Sequence, residues 1–306
     1  MEPLVSICCI TYNHAPYIKE CIEGFLMQKT TFPIEILIHD DCSTDGTTEI
    51  IKDYEKQYPD LIFPLYEEEN QYQKGKASEI DFYNYKRARG KYIAYCEGDD
   101  YWTDPLKLQK QVDFMEANQE YSVCFHDFQV YNESTQTYRN MVYKDISKLI
   151  NGEIDVTNEM ILNFSFGGQP LTMLFRFSMY DFRWQRQYPD YKDNYEIYHL
   201  LRQGRGRYLD FIGGVYRKHD GGVSSASTKI DSCRSMMKCI YDLYRYNSDD
   251  SLLVTQLYKA LLWTYYTLPL NEFFKWSLKI IVVKPVIVLK VYFLLLKRVI
   301  KNVYKN

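Results

Sequence analysis

Residues 40–47, Asp40-Asp41-Cys42-Ser43-Thr44-Asp45-Gly46-Thr47, lie between an apolar run at 34–38 and a stretch with Ile50, Ile51 and Tyr54 at helical spacing. That order predicts a strand covered on both faces, an acidic turn, and an amphipathic helix over about 45–58 capped by Ser43. In an open α/β sheet, ligands bind outside the carboxyl ends of the strands. A second acidic turn, Glu97-Gly98-Asp99-Asp100-Tyr101-Trp102, follows the apolar run at 92–96. One such aspartate taken alone is often a turn former or helix cap. Two clusters at one rim are costly unless a cation neutralises them. A hard divalent ion, Mg2+ or Mn2+, does so with one or two carboxylates plus substrate phosphates.

Outward from these turns the same alternation continues. Residues 4–11 form another nearly continuous apolar run, and Ile18, Cys21, Ile22, Phe25 and Leu26 mark a helix over 17–27 opened near Pro16. A strand at 61–66, a polar stretch at 67–78 read as a mobile loop, a helix at 80–88 and a helix at 105–118 follow. This order predicts the α/β class, with right-handed crossovers and a mostly parallel sheet. Beyond residue 120 the pattern becomes a hairpin (122–131 with 138–142), strands at 172–177 and 208–216, and a helix at 194–202 stopped by Gly204 and Gly206. Two amphipathic helices are expected between 230 and 268.

Composition removes several function classes. The 306 residues carry a net charge of −3, so a strongly basic nucleic-acid binder is not expected. Eight cysteines make no CxxC pair, and Cys8 and Cys9 fall on opposite faces of one strand, as buried thiols of a reducing compartment do. The acidic start of the chain lacks the basic region of a signal peptide. There is no P-loop, no GxSxG elbow and no HExxH. Aromatic residues make up 16% of the chain, with 30 tyrosines, which suits strands and also surfaces that stack rings or sugars.

On these motifs the chain resembles glycosyltransferase family 2, the large inverting family with the GT-A fold. The stretch Val-Ser-Ile-Cys-Cys-Ile-Thr-Tyr-Asn at 5–13 is similar to the family's first strand and its Thr-Tyr-Asn ending. The segment at 40–47 is similar to DDGSTDGT, with Cys42 in place of a frequent glycine, and Glu97–Asp100 resembles DxDD with Glu first. Residues Tyr191 to Glu196 occupy the place of the acidic motif that supplies the base, and Tyr216 to Gly222 resembles a closing loop near the donor diphosphate. The resemblance spans about residues 4–225. It implies a Rossmann-like, mostly parallel sheet flanked by helices, and transfer of a sugar from a nucleotide-sugar, UDP-linked by resemblance, to a glycan acceptor in surface-polysaccharide synthesis. It implies Thr11 and Tyr12 at the nucleotide, Tyr12 against the base, and Asp41 accepting a hydrogen bond from that base. Asp99 would contact the ribose or a metal-bound water, Asp100 would be the direct ligand of Mn2+ or Mg2+, and His219 would complete the metal shell or donate to a phosphate. Asp193 would be the general base. Trp102 is a candidate for packing on the acceptor sugar and equally a buried structural residue. Two other readings stay open: a nucleotide-sugar-binding protein without activity, and a sugar nucleotidyltransferase, which normally carries a glycine-rich basic loop that 11–17 lacks.

The C-terminus differs in character. From Glu272 onward there are eight basic residues and one acid, so a +7 tail follows a body at −10. Its apolar blocks are too short for the ~20 residues of a membrane span. On a helix after Pro285, Lys290, Lys297, Lys301 and Lys305 fall along one side, with Leu295, Leu296, Val299 and Val303 largely opposite. This pattern predicts a helix lying on an anionic membrane surface, or one packed on protein. The expected organisation is a catalytic domain at 1–225 (donor half to about 120, acceptor half beyond), a helical extension at 226–270, and a membrane-associating tail at 271–306. The expected location is the cytoplasmic face of the plasma membrane, which suits a lipid-linked glycan as acceptor.

Overall fold

The computed structural model describes residues 2–76, 80–140, 152–163, 168–188, 193–222 and 228–303. Positions 141–142 of the expected hairpin, the Tyr191-Lys192 start of the acidic motif, and Lys305 lie outside them. The chain divides into two compact units, Met1–Asp220 and Gly221–Asn306.

Among the described residues the first unit is built on a ten-stranded sheet. Its elements are β1 (Val5–Thr11), α1 (Ile18–Leu26), β2 (Ile34–Asp40), α2 (Thr47–Gln57), β3 (Ile62–Tyr66), α3 (Ile80–Arg87), β4 (Tyr92–Glu97), β5 (Tyr101–Trp102) and α4 (Lys107–Ala117). After these come β6 (Tyr121–Asn132), β7 (Thr137–Asn140), β8 (Ile154–Val156), α5 (Asn158–Leu162), β9 (Leu174–Arg176), α6 (Arg183–Gln187), α7 (Asp193–Gln203) and β10 (Arg205–Lys218). The order across the sheet is β3-β2-β1-β4-β9-β6-β10-β5, with β7 on β6 and β8 on β10. Strands β3, β2, β1 and β4 run parallel, as do β6 and β10, whereas β9 is antiparallel to both its neighbours.

Register is what positions the site. Thr11 stands opposite Asp40, and Ile10 opposite Glu97. Three parallel strands therefore release their carboxyl ends at one rim, which delivers both acidic turns to the same place. Beneath the rim, Ile7, Cys9, Ile36, Ile38 and Ala94 join Cys21, Ile22 and Phe25 of α1 in one core cluster. Cys8 and Cys9 are both fully buried, as a strand covered on two faces requires. Burying side chains of this size stabilises by about 1.5–3 kcal/mol each, before entropy is charged.

The start of α2 differs from the sequence expectation. Gly46, at φ +100°, is the residue preceding the helix and makes no side-chain cap. Asp45 accepts the Thr47 amide at 3.0 Å, and Ser43 is used elsewhere. The left-handed turn at Gly46 moves the helix start past Ser43, and glycine is the residue that adopts such a φ without a Cβ penalty.

The second unit is helical: α8 (Lys229–Tyr246), α9 (Ser251–Thr267), α10 (Leu270–Val283) and α11 (Pro285–Val303). Thr228 and Asp231 form a reciprocal capping box on α8, and Asp250 caps α9 through the Leu252 amide.

Candidate active site

The loop after β1 is fastened to the turn after β2 by side chains of the first acidic segment. The Asn13 amide donates to Ser43 Oγ (2.9 Å), the Thr44 amide to Asn13 Oδ1 (2.8 Å), the His14 amide to Thr47 Oγ1 (2.8 Å) and the Ala15 amide to Asp45 Oδ2 (2.9 Å). Asn13 takes a left-handed φ of 54° to make its pair of bonds. Asp40 accepts the Ser43 amide at 3.1 Å and the Thr48 hydroxyl. These residues hold the rim's shape.

The second acidic turn fits against that latch. Carboxylate oxygens of Glu97, Asp99 and Asp100 lie within 4.8 Å of one another. Gly98 allows the approach, because a Cβ there would sit 2.7 Å from Thr11 Oγ1 and 3.1 Å from His14 Nδ1. His219 Nε2 lies 3.0 Å from Asp99 Oδ2, and His14 Nε2 lies 3.9 Å from the same oxygen. Asp100 is buried and accepts the Arg217 amide at 2.8 Å through Oδ1. Burial, then the neighbouring Asp99 charge, pushes the Asp100 carboxyl well above the usual range. Burial also works against charge on Asp99, but the hydrogen bond from His219 and the charge of His14 outweigh it and hold that carboxyl low. Burial lowers His14.

This set of residues fits a divalent cation. Three carboxylates supply hard oxygen ligands. Asp99 Oδ1, Thr11 Oγ1 and His14 Nδ1 are buried there without a protein partner, which is unusual for side-chain polar atoms and calls for a further group. Thr11 and Asp99, expected at the nucleotide, and Asp99, Asp100 and His219, expected at the metal, are thus brought together with Glu97.

Other expected residues are placed differently. Tyr12 is 36% exposed at the end of β1, its hydroxyl 3.5 Å from Gln73 Nε2. Asp41 is buried, and both its oxygens accept backbone amides, from Gln71 (2.7 Å) and Tyr72 (3.0 Å). The stretch read as a mobile loop is instead folded over Asp41 up to Lys76. Glu67 pairs with His39 at 3.2 Å, and Asn70 donates to the Asp41 carbonyl at 3.0 Å. Trp102 is not an acceptor platform. It is 2% exposed, edge-on to Phe25 at 4.8 Å, with Lys107 Nζ 3.9 Å over its ring and its Nε1 donating to the Leu171 carbonyl at 3.0 Å. Asp193 is the first residue of α7, with its side chain exposed. Sequence reasoning missed two members of the rim. His14 follows the Thr-Tyr-Asn ending directly, a positional signal; Arg217 stood inside the Tyr-Arg-Lys-His stretch and was given no role.

Comparison with known proteins agrees with this geometry. The family model described as Glycosyl transferase family 2 matches residues 6–188, more than half of the chain. The uncharacterized protein Rv1520 of Mycobacterium tuberculosis is 45% identical over 129 residues, 42% of this chain and 36% of its own. The Escherichia coli UDP-Glc:alpha-D-GlcNAc-diphosphoundecaprenol beta-1,3-glucosyltransferase WfaP is 39% identical over 114 residues, 37% of this chain and 42% of its own. The matches thus span less than half the length of these curated relatives. Among solved structures, S. aureus TarS 1–349 in complex with UDP superposes with a TM-score of 0.60 at 19% identity, covering 91% of this chain and 75% of that one. The mannosyltransferase PcManGT from Pyrobaculum calidifontis, in complex with GDP-Man and Mn2+, gives 0.57 at 15% identity, covering 96% and 87%. At such identities the likeness speaks for the fold alone, and that fold is GT-A. With the family model covering the parallel strands β1 to β4 and both acidic turns, the chain belongs to glycosyl transferase family 2 and is a glycosyltransferase.

Proposed function

We propose that the chain moves a sugar from a UDP-linked donor to a glycan acceptor, with inversion and with help from Mn2+ or Mg2+, in the synthesis of a surface polysaccharide. The observation that carries this reading is the convergence of Glu97, Asp99 and Asp100, together with a buried Asp99 Oδ1 that has no protein partner. Named neighbours support it: TarS is complexed with UDP, PcManGT with GDP-Man and Mn2+, and WfaP is named for a UDP-Glc donor and a diphosphoundecaprenol-linked acceptor. A bound divalent ion supplies Lewis-acid stabilisation of the diphosphate as negative charge develops on it. Asp99 and Asp100 hold that ion with Glu97 beside them, and His219 fixes the Asp99 carboxylate. Thr11 and Tyr12 border the nucleotide, and Asp41 acts on the base side through the loop it holds. Asp193 takes the proton from the acceptor hydroxyl. The test is a panel of UDP- and GDP-sugars with Mn2+, Mg2+ or EDTA, scored by released nucleotide. Metal-dependent release is expected; tight donor binding with no release under any condition would contradict transfer.

An anionic membrane surface is the proposed third partner, which puts the enzyme at the cytoplasmic face of the membrane beside a lipid-linked acceptor. Phe274, Leu278 and Val282 of α10 follow one another at i, i+4, i+8 and are 48%, 68% and 82% exposed. Leu289, Phe293 and Leu296 of α11 make a second exposed stripe. Helical spacing sets Lys275 and Lys279 along the edge of the first, and Lys290 and Lys297 along the edge of the second. No acid follows Glu272. Exposed apolar stripes rimmed by lysine stems suit an interface in which side chains insert and ammonium groups reach headgroups. No helix among the described residues is long and apolar enough to cross a membrane. Vesicles containing phosphatidylglycerol should sediment the protein, and vesicles of phosphatidylcholine alone should not. The double variant Leu278→Glu/Phe293→Glu should stay in the supernatant; equal binding of that variant contradicts the surface.

A further inference from the structure

We propose that Arg217 is the positioning residue of the metal-side acids, an inference that rests on the metal-dependent reading above. Its backbone amide donates to Asp100 Oδ1 (2.8 Å) and its Nε donates to the Asp99 carbonyl (2.9 Å), so one residue of β10 grips both members of the turn after β4. The guanidinium is held in turn. It sits 4.9 Å from the ring centres of Tyr17 and Tyr101 and 5.8 Å from that of Tyr131, and it pairs with Glu20 of α1. Tyr17 also lies 4.6 Å from the His219 ring and donates its hydroxyl to Glu133 at 2.9 Å. Arg217 is 8% exposed, and nothing in this set of bonds points it at a ligand.

The arrangement explains why the position calls for arginine. A planar guanidinium can lie against aromatic faces while its Nε donates in plane, and a lysine ammonium cannot do both. The Asp99–Asp100 turn has few internal restraints, chiefly the Asp100 amide donating to the Glu97 carbonyl at 3.1 Å. Without the Nε bond the Asp99–Asp100 peptide keeps only the Asp100 amide's bond to Glu97, so the turn loosens and the Asp99 carboxylate is held less closely against Glu97 and Asp100. Arg217 therefore acts through the acids rather than on substrate.

The test compares two buried arginines. Arg176 is also buried, bonding the Met115 carbonyl (2.9 Å) and the Tyr92 hydroxyl (3.0 Å), with no bond to the acidic turn. Mn2+ binding to donor-free protein is measured by electron paramagnetic resonance, beside thermal melts, for wild type, Arg217→Lys and Arg176→Lys. Arg217→Lys should weaken Mn2+ binding about tenfold or more, as loss of an outer-shell partner does, while Arg176→Lys lowers the melting temperature and leaves Mn2+ affinity near wild type. Should Arg217→Lys fail to fold, Glu20→Gln, at a half-exposed carboxylate, loosens the far end of the guanidinium and should weaken Mn2+ binding about threefold. Wild-type affinity in every folded variant at 217 and 20, or equal losses at 217 and 176, overturns the proposal. A wild-type protein that binds no Mn2+ fails the metal-dependent reading first and this inference with it.

Discussion

His219 Nε2 lies 3.0 Å from Asp99 Oδ2, joining the end of β10 to the turn after β4 across 120 residues of sequence. The bond ties the late half of the sheet to the early parallel half. Both ends are mostly buried, so the pair leaves Asp99 one oxygen committed and one oxygen, Oδ1, without a protein partner. That asymmetry gives the rim a ligand-ready carboxylate on a fixed support.

Asp193→Asn should lower turnover by about 10²–10⁴-fold, the usual worth of a general base, with donor affinity unchanged. Steady-state transfer together with equilibrium binding of the donor separates the two effects. Unaltered turnover removes Asp193 from the chemistry.

Asp41→Asn keeps one acceptor oxygen and replaces the other by an amide nitrogen, which cannot accept the Tyr72 amide. Loss of one such bond to a charged acceptor costs about 1.5–3 kcal/mol. Hydrogen exchange at residues 70–76 should therefore accelerate, and donor binding should weaken in parallel. Accelerated exchange with unchanged donor affinity would separate this loop from the nucleotide site.

Trp102→Ala tests the burial of that ring directly. A truncated core tryptophan typically costs about 3–5 kcal/mol. A large fall in the urea midpoint is expected. A variant as stable as wild type that loses only acceptor affinity would restore the surface role.

Acid should destabilise the α7 region through His199. Burial, with Arg202 nearby, lowers its pKa from 6.5 to about 4; Tyr188 Oη sits 2.9 Å from its Nε2, and Trp184 stacks on it at 4.8 Å. The folded state holds this ring neutral, whereas the unfolded chain protonates it near its ordinary value. Stability is therefore full above about pH 6.5 and falls as pH drops towards about 4, by about 3 kcal/mol in all. Urea titrations at several pH values on wild type and His199→Phe give the comparison. An equal pH slope in both would assign the loss to other groups.

The first half of the sheet was legible because β1, β2, β3 and β4 are short runs, largely apolar, each ending in a polar turn, a pattern that covered strands impose. The hairpin of β6 and β7 was legible as two runs flanking the polar residues Asn132 to Thr135. The roles of the first acidic segment were not. Ser43, Asp45 and Thr47 read as a helix start, yet their partners are amides of residues 13–15, supplied by a loop some thirty positions away. The stretch after β3 read as mobile from its polar composition, but a buried carboxylate at Asp41 orders its backbone. Arg217 was invisible because its cage draws rings from the segment opening α1, from β5 and from β6, which only the folded sheet assembles.

Crystals grown with UDP and Mn2+, measured for manganese anomalous scattering, test the central claim most directly. The account predicts one strong peak bonded to Asp99 or Asp100, with the diphosphate on its open side. Bound UDP with no anomalous peak between these acids, or a peak elsewhere on the chain, would contradict it.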